Sequence, residues 1–166
     1  MSIAEVDRKP RDGDLFVAVA IGGVIGALAR HGIDLVFPSE TDEWPLATFI
    51  INLTGAFILG VVLEAAIKFA PDPAASPFAR RLRPFLITGV LGGYTTFSTY
   101  MVEAHGLLTS DRALLALLYV FGSLVAGVIC VVLGMKLGRA LFHRDNEPAD
   151  LVAQEDSDIR LLEDEA

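Results

Sequence analysis

Cys130 is the only cysteine in 166 residues. A single thiol excludes an intramolecular disulfide and cannot build a thiolate metal cluster. Its apolar neighbours mark it as a packing residue. Charge is scarce as well, at 20% of residues against 53% hydrophobic, and the mean hydropathy is +0.53. A soluble domain of this length carries more charge and arranges it in amphipathic periods. Also missing are a phosphate-cradling glycine loop, a nucleophile–base constellation and metal-ligand spacing, so an enzyme is not expected. His31 and His105 have no third ligand near them in sequence, which speaks against metal chelation. The N-terminal arm, residues 1–14, is charged, and the apolar stretch after it lacks a cleavage site leading into a soluble domain. A retained helix is therefore expected there, not a cleaved signal peptide.

The net charge of −8 is unevenly placed. Much of the surplus acid follows Arg144 (Asp145, Glu147, Asp150, Glu155, Asp156, Asp158, Glu163, Asp164 and Glu165). Residues 143–166 therefore read as an acidic, solvated and disordered tail.

What is present is long apolar runs. Crossing about 30 Å of hydrocarbon takes roughly 20 residues of helix. Four stretches qualify within residues 15–142: Leu15 toward Phe37, the run after Pro45, the run after Pro84 and the run from Ala113. The last three are uncharged over Leu46–Leu63, Phe85–Val102 and Ala113–Met135. Short connections at Pro38–Pro45, Pro71–Arg83 and Gly106–Arg112 carry turn or breaker residues. The expectation is an all-α integral membrane protein of four transmembrane helices forming one domain.

Basic residues set orientation. With the N-terminus cytoplasmic, Arg8, Lys9, Arg11, Lys68, Arg80, Arg81, Arg83, Lys136, Arg139 and Arg144 lie inside. Only Arg112, and Arg30 near a helix end, then lie toward the outside, where the first loop holds Glu40, Asp42 and Glu43. Both termini are thus expected in the cytoplasm. Gly22–Gly26, Gly89–Gly93 and Gly134–Gly138 have the small-xxx-small form of closely packed membrane helices.

Polar residues inside these runs carry more information, because each is costly in lipid without a partner or a wet path. Thr48 and Asn52 are four apart on one face of the second span. They are either interhelical hydrogen-bonding groups or the wall of a pore. The third span holds Gly89, Gly92, Gly93, Tyr94, Thr95, Thr96, Phe97, Ser98, Thr99 and Tyr100, a poor helical stretch. A break there frees main-chain groups, tolerable at that depth only where protein or water receives them. Freed carbonyls suit a cation; amides, hydroxyls and aromatic ring edges suit an anion. A kink accommodated by packing is the plainer alternative. Glu103 ends this span, and Tyr119 and Ser123 lie four apart on the fourth. Each is a locally bonded group or part of a polar track. Arg30 either pairs with Asp34 at i+4 or attracts an anion.

Three motifs occur in order: Gly22-Gly23-xx-Gly26-Ala27-xx-Arg30, Thr48-xxx-Asn52-xx-Gly55 and Gly92-Gly93-x-Thr95-Thr96-Phe97-Ser98-Thr99. In these, Phe16–Phe142 resembles the small fluoride channels, the Fluc or CrcB proteins. The resemblance implies an antiparallel, dual-topology-type dimer with two pores, a third helix broken near mid-membrane, and a structural sodium ion at the dyad. It implies sodium binding by the Gly92 and Thr95 carbonyls, and a fluoride path past Phe97, Asn52, Thr48, Ser98, Thr99, Glu103 and Ser123. Arg30 would stand at a vestibule. Tyr100 falls where the family has its second pore phenylalanine, and its hydroxyl argues against a direct fluoride role.

The implied activity is passive fluoride export across the cell membrane, with no organic cofactor and no nucleic-acid partner. Homodimeric members need nearly balanced charge to insert both ways, whereas this chain is strongly biased. A heterodimer with a homologous subunit of inverted bias is therefore expected. The competing readings are a small multidrug-type proton-coupled exporter using Glu64 or Glu103, and a non-transporting scaffold subunit.

Overall fold

The computed structural model describes residues 12–38, 42–69 and 81–142. Most of the charged arm 1–14 and all of the acidic tail 143–166 lie outside the described residues. Among the described residues every element is helical: α1 (Asp12–Val36), α2 (Leu46–Phe69), a π-helical segment (Pro84–Leu91), α3 (Gly92–Tyr94), α4 (Phe97–Thr109) and α5 (Ala113–Phe142).

Three of these, Gly13–Val36, Leu46–Phe69 and Ala113–Phe142, are long and apolar enough to cross a membrane. The stretch between α2 and α5 does not qualify by length, because it is divided into pieces of 8, 3 and 13 residues. Pro84 supplies no amide to a helical ladder, and the winding after it is the wider π form. At its end the Gly92 amide points to the carbonyls of Gly89 and Ile87.

The α4–α5 connection is shorter than its sequence suggests. Helix α4 runs to Thr109 and leaves only Ser110, Asp111 and Arg112 between elements. The Arg112 amide reaches back to the Leu107 carbonyl at 2.9 Å and Asp111 sits at φ 58°. This is a helix stop with a left-handed residue after the cap, a place where aspartate is tolerated.

Helix α2 is central. It packs most extensively along α5, while α1 lies against the π-helical segment and α3. Over their most apolar windows, 28% of α2 is buried against 11% for both α1 and α5. The outer faces are apolar, with Phe16, Val24 and Leu28 on α1 and Leu114, Phe121 and Leu124 on α5 all exposed. Such faces suit hydrocarbon as the surrounding solvent.

Glycine lets the helices approach. A methyl at Gly26 would strike the Val90 carbonyl and the Tyr94 amide, and one at Gly134 would strike the Phe57 carbonyl. Lipid offers helices no hydrophobic reason to associate, so this backbone contact supplies the attraction. Ion pairs tie the ends. Arg81 meets Asp14 at 2.6 Å and Arg139 meets Glu64 at 2.9 Å at one end, and Arg112 faces Asp42 at 3.8 Å at the other. Arg83 donates to the Ala66 carbonyl at 2.8 Å, satisfying one acceptor in the last turn of α2.

Candidate functional site

Between α3 and α4 the chain leaves the helix for two residues. Thr95 has φ −75° and ψ 156°, and Thr96 has φ −144° and ψ 125°, both extended. Each buried peptide group released there needs a new partner. Asn52 takes one peptide's worth: its Nδ2 donates to the Thr96 carbonyl at 3.0 Å, and its Oδ1 accepts from the Thr96 amide at 2.9 Å. In a continuous helix that amide would have gone to the Gly92 carbonyl four residues back. The Thr99 amide, which would have served Thr95, goes to Thr96 Oγ1 at 3.2 Å as an N-cap bond. The carbonyls of Gly92 and Thr95 are thus among the four, at 92 to 95, whose helical donors lie beyond the break.

Hydroxyls surround the start of α4. Thr96 Oγ1 donates to Thr99 Oγ1 at 3.0 Å and lies 3.3 Å from Ser98 Oγ. Each hydroxyl has one proton. With the Thr96 proton placed on Thr99, Ser98 is the donor in its contact, and the Thr99 proton is left for another acceptor. Asn52 likewise has one of its two amide protons committed to Thr96. Ser98 and Thr99 are exposed in the single chain, and the Phe97 ring is 74% exposed beside them.

A second polar group lies two turns further along α4. Glu103 accepts from Thr48 Oγ1 and from the Tyr119 hydroxyl, both at 2.8 Å and one on each carboxylate oxygen. Thr48 is 1% exposed and Tyr119 fully buried. Thr48 and Asn52, which share a face of α2, thus both turn toward the third apolar run, Thr48 to Glu103 and Asn52 to Thr96. Rings connect the two groups. Tyr100 lies 5.8 Å from Phe97 and 5.0 Å from Tyr119, and Trp44 stands nearly perpendicular to Tyr119 at 5.5 Å.

The Tyr100 hydroxyl donates to the Val120 carbonyl at 2.6 Å. Its polar end is thereby held on the main chain of α5. The Ser123 hydroxyl oxygen is buried and has no hydrogen-bond partner among the described residues. Helical serines often use a carbonyl three or four residues back; Val120, three back, is the one Tyr100 occupies. Arg30 makes no ion pair with Asp34.

Among the described residues no group of His, Cys, Asp or Glu is arranged to hold a metal ion. Main-chain carbonyls such as those of Gly92 and Thr95 lie outside that class of ligand. Tyr119 belongs to the site although the resemblance does not imply it; its spacing of four from Ser123 is the signal that points to it. Trp44 has no comparable signal, because its contact with Tyr119 crosses from a loop to a distant helix.

Comparisons with known proteins place the chain in a family. The family described as CrcB-like protein, Camphor Resistance (CrcB), matches residues 17–135. A fluoride-specific ion channel FluC of Chlorobaculum tepidum is 42% identical over 121 residues, covering 73% of this chain and 91% of that one. A FluC of Hydrogenobaculum sp. is 39% identical over 129 residues, covering 76% of this chain and 98% of that one. FluC 3 of Streptomyces avermitilis is 39% identical over 130 residues, which are 78% of this chain and 61% of that protein. All three are named as ion channels, not as enzymes. This chain belongs to the CrcB-like family.

Proposed function

We propose that this chain is one subunit of a fluoride-selective ion channel that exports fluoride passively and lowers its toxicity in the cytoplasm. The observation that carries the reading is the two-residue interruption at Thr95 and Thr96, with the exposed Phe97 ring and unassigned hydroxyl and amide protons beside it. Fluoride is small and strongly hydrated. A path for it must replace water with donors while staying too narrow for chloride. The Thr99 hydroxyl, the second Asn52 amide proton and the positive edge of Phe97 are groups of that kind. Ser98, Thr48, Glu103 and Ser123 extend the polar path, and Arg30 serves a vestibule. The names of the relatives, fluoride-specific ion channels, support the choice of ion.

In this reading the segment 84–109 is a third span broken near mid-membrane, the molecule has four spans, and two subunits pack antiparallel. A sodium ion at the dyad fits the residues present. Gly92 and Thr95 would hold it through carbonyls whose helical donors have been diverted, and such oxygens are hard ligands for a small cation. The ion would supply fixed positive charge that holds the two interrupted helices together. Lys68, Arg81, Arg83, Lys136 and Arg139 gather at one end of the bundle, supporting cytoplasmic termini. That bias supports a heterodimer with a homologous subunit of opposite bias, as do the numbered names FluC 2 and FluC 3 among relatives. The exporter reading lacks support. Glu64 is 3% exposed and held by Arg139, a structural arrangement, and Glu103 is held by two donors.

Fluoride efflux from proteoliposomes tests the proposal, with the chain alone and with a homologous subunit of opposite charge bias. Rapid efflux is expected only for the pair. Phe97→Ile is expected to abolish it while assembly persists. Absence of efflux in both preparations, or efflux indifferent to Phe97→Ile, would overturn the reading.

A further inference from the structure

Asn52 is not the only α2 residue that grips the interruption. Three α2 residues meet three consecutive residues of the third run: Asn52 meets Thr96, Gly55 meets Thr95 and Thr54 meets Tyr94. The Thr54 hydroxyl sits 2.8 Å from the Tyr94 hydroxyl and donates to the Ile50 carbonyl at 2.7 Å. Threonine has one hydroxyl proton, so Tyr94 is the donor in the pair. Gly55 leaves the room that the Thr95 methyl and the Tyr94 ring fill; a Cβ there would collide with Thr95 Cγ2. Asn52 therefore holds the peptide after the break, while Thr54 and Gly55 hold the last helical residue before it and the first extended one.

We propose that Thr54 and Gly55 are positioning residues: by holding Tyr94 and Thr95 they set the direction of the Thr95 carbonyl, and with it how tightly the dyad cation is held. The proposal rests on the sodium reading above. Neither residue touches the ion. Thr54 acts through the Tyr94 phenol and Gly55 through the space it leaves vacant. Asn52 alone would leave the Thr95 peptide hinged between its own Leu91 bonds and the clamp on Thr96.

The test is the melting temperature of the purified full-length protein, assembled with its partner where one is required. It is titrated with sodium against a potassium background; a cation that binds only the folded assembly raises that temperature as it saturates. Thr54→Val removes the acceptor and Tyr94→Phe the donor. Each is expected to raise the half-saturating sodium concentration about fivefold, the scale of one neutral hydrogen bond. The double variant is expected to match either single one, because both remove the same contact. Thr54→Ser, which keeps the hydroxyl, is expected to restore the wild-type value. Gly55→Ala is expected to weaken sodium binding further.

Sodium dependence unchanged in Thr54→Val, or single effects that add in the double variant, would overturn the positioning role while leaving the cation reading intact. A wild-type melting temperature indifferent to sodium would overturn both.

Discussion

Helix α2 treats two of its neighbours differently. Toward α5 it offers glycine and aliphatic surface, closed at one end by the Glu64–Arg139 pair: Gly60 meets the main chain of Val131 and Met135, and Gly134 meets Phe57. Toward the run from Pro84 to Thr109 it offers Thr48, Asn52 and Thr54, each hydrogen-bonded across the contact. The first interface is made by two unbroken helices and the second by fragments of 8, 3 and 13 residues. Where backbones can touch, dispersion supplies attraction along the contact and both helices keep their own main-chain hydrogen bonds. Where one helix is broken, its neighbour must supply donors and acceptors. One face of α2 thus serves packing, and the other holds main-chain groups open.

Substitutions at the two faces should separate these roles. The largest effect is expected from Gly134→Leu, which drives a branched side chain into the Phe57 main chain. Overpacking of this kind should cost about 3 kcal/mol or more, read as loss of monodisperse folded protein and a lower melting temperature. If the variant is stable, close backbone contact is not what binds α2 to α5.

Asn52→Asp is next. Its carboxylate can accept from the Thr96 amide but cannot donate to the Thr96 carbonyl. Leaving that acceptor unsatisfied should cost about 2 kcal/mol and stop fluoride efflux, with α2–α5 packing intact by helical circular dichroism. Wild-type efflux from this variant would remove Asn52 from both the clamp and the path.

Tyr119→Phe deletes one of the two donors to Glu103 and should cost about 1.5 kcal/mol. The loss should shrink in a Glu103→Gln background, where the charge-assisted bond is already weakened; an equal loss in both backgrounds would show that the pair is not coupled. The smallest effect belongs to Asp14→Asn. Both partners of the Arg81–Asp14 pair are about half exposed, so the change should stay under about 0.5 kcal/mol. A large shift in unfolding would mean that the ends of the bundle, not its two α2 faces, govern stability.

Much of the first interface is legible in the amino-acid string. Uncharged runs from Leu46 and from Ala113 announce long apolar helices, and Gly134 announces where their backbones touch, as Gly22, Gly26, Gly89 and Gly93 do between α1 and the run after Pro84. These are local signals, since composition and spacing within one helix suffice. The second interface is legible only in part. The spacing of Thr48 and Asn52 shows that they share a face, but not that one meets Glu103 and the other a main-chain peptide 44 residues away. Tyr100 looks like a pore group by position, whereas its hydroxyl lies on Val120. The pairing of Arg30 with Asp34, suggested by i+4 spacing, is not made, and spacing alone cannot tell which rotamer such a pair adopts.

Sequence alone determined that this chain is helical, apolar over its long runs and built for close packing, because hydropathy and small-residue spacing act within a helix and need no partner. Only the tertiary structure decided which residues leave the helix, Thr95 and Thr96, and where the Thr96 and Thr99 amides turn instead. The physical reason is that an amide donates to whichever acceptor is nearest in space. Of the acceptors that win here, Asn52 Oδ1 is brought into place by the packing of α2 against the broken run, and Thr96 Oγ1 caps the helix that follows it.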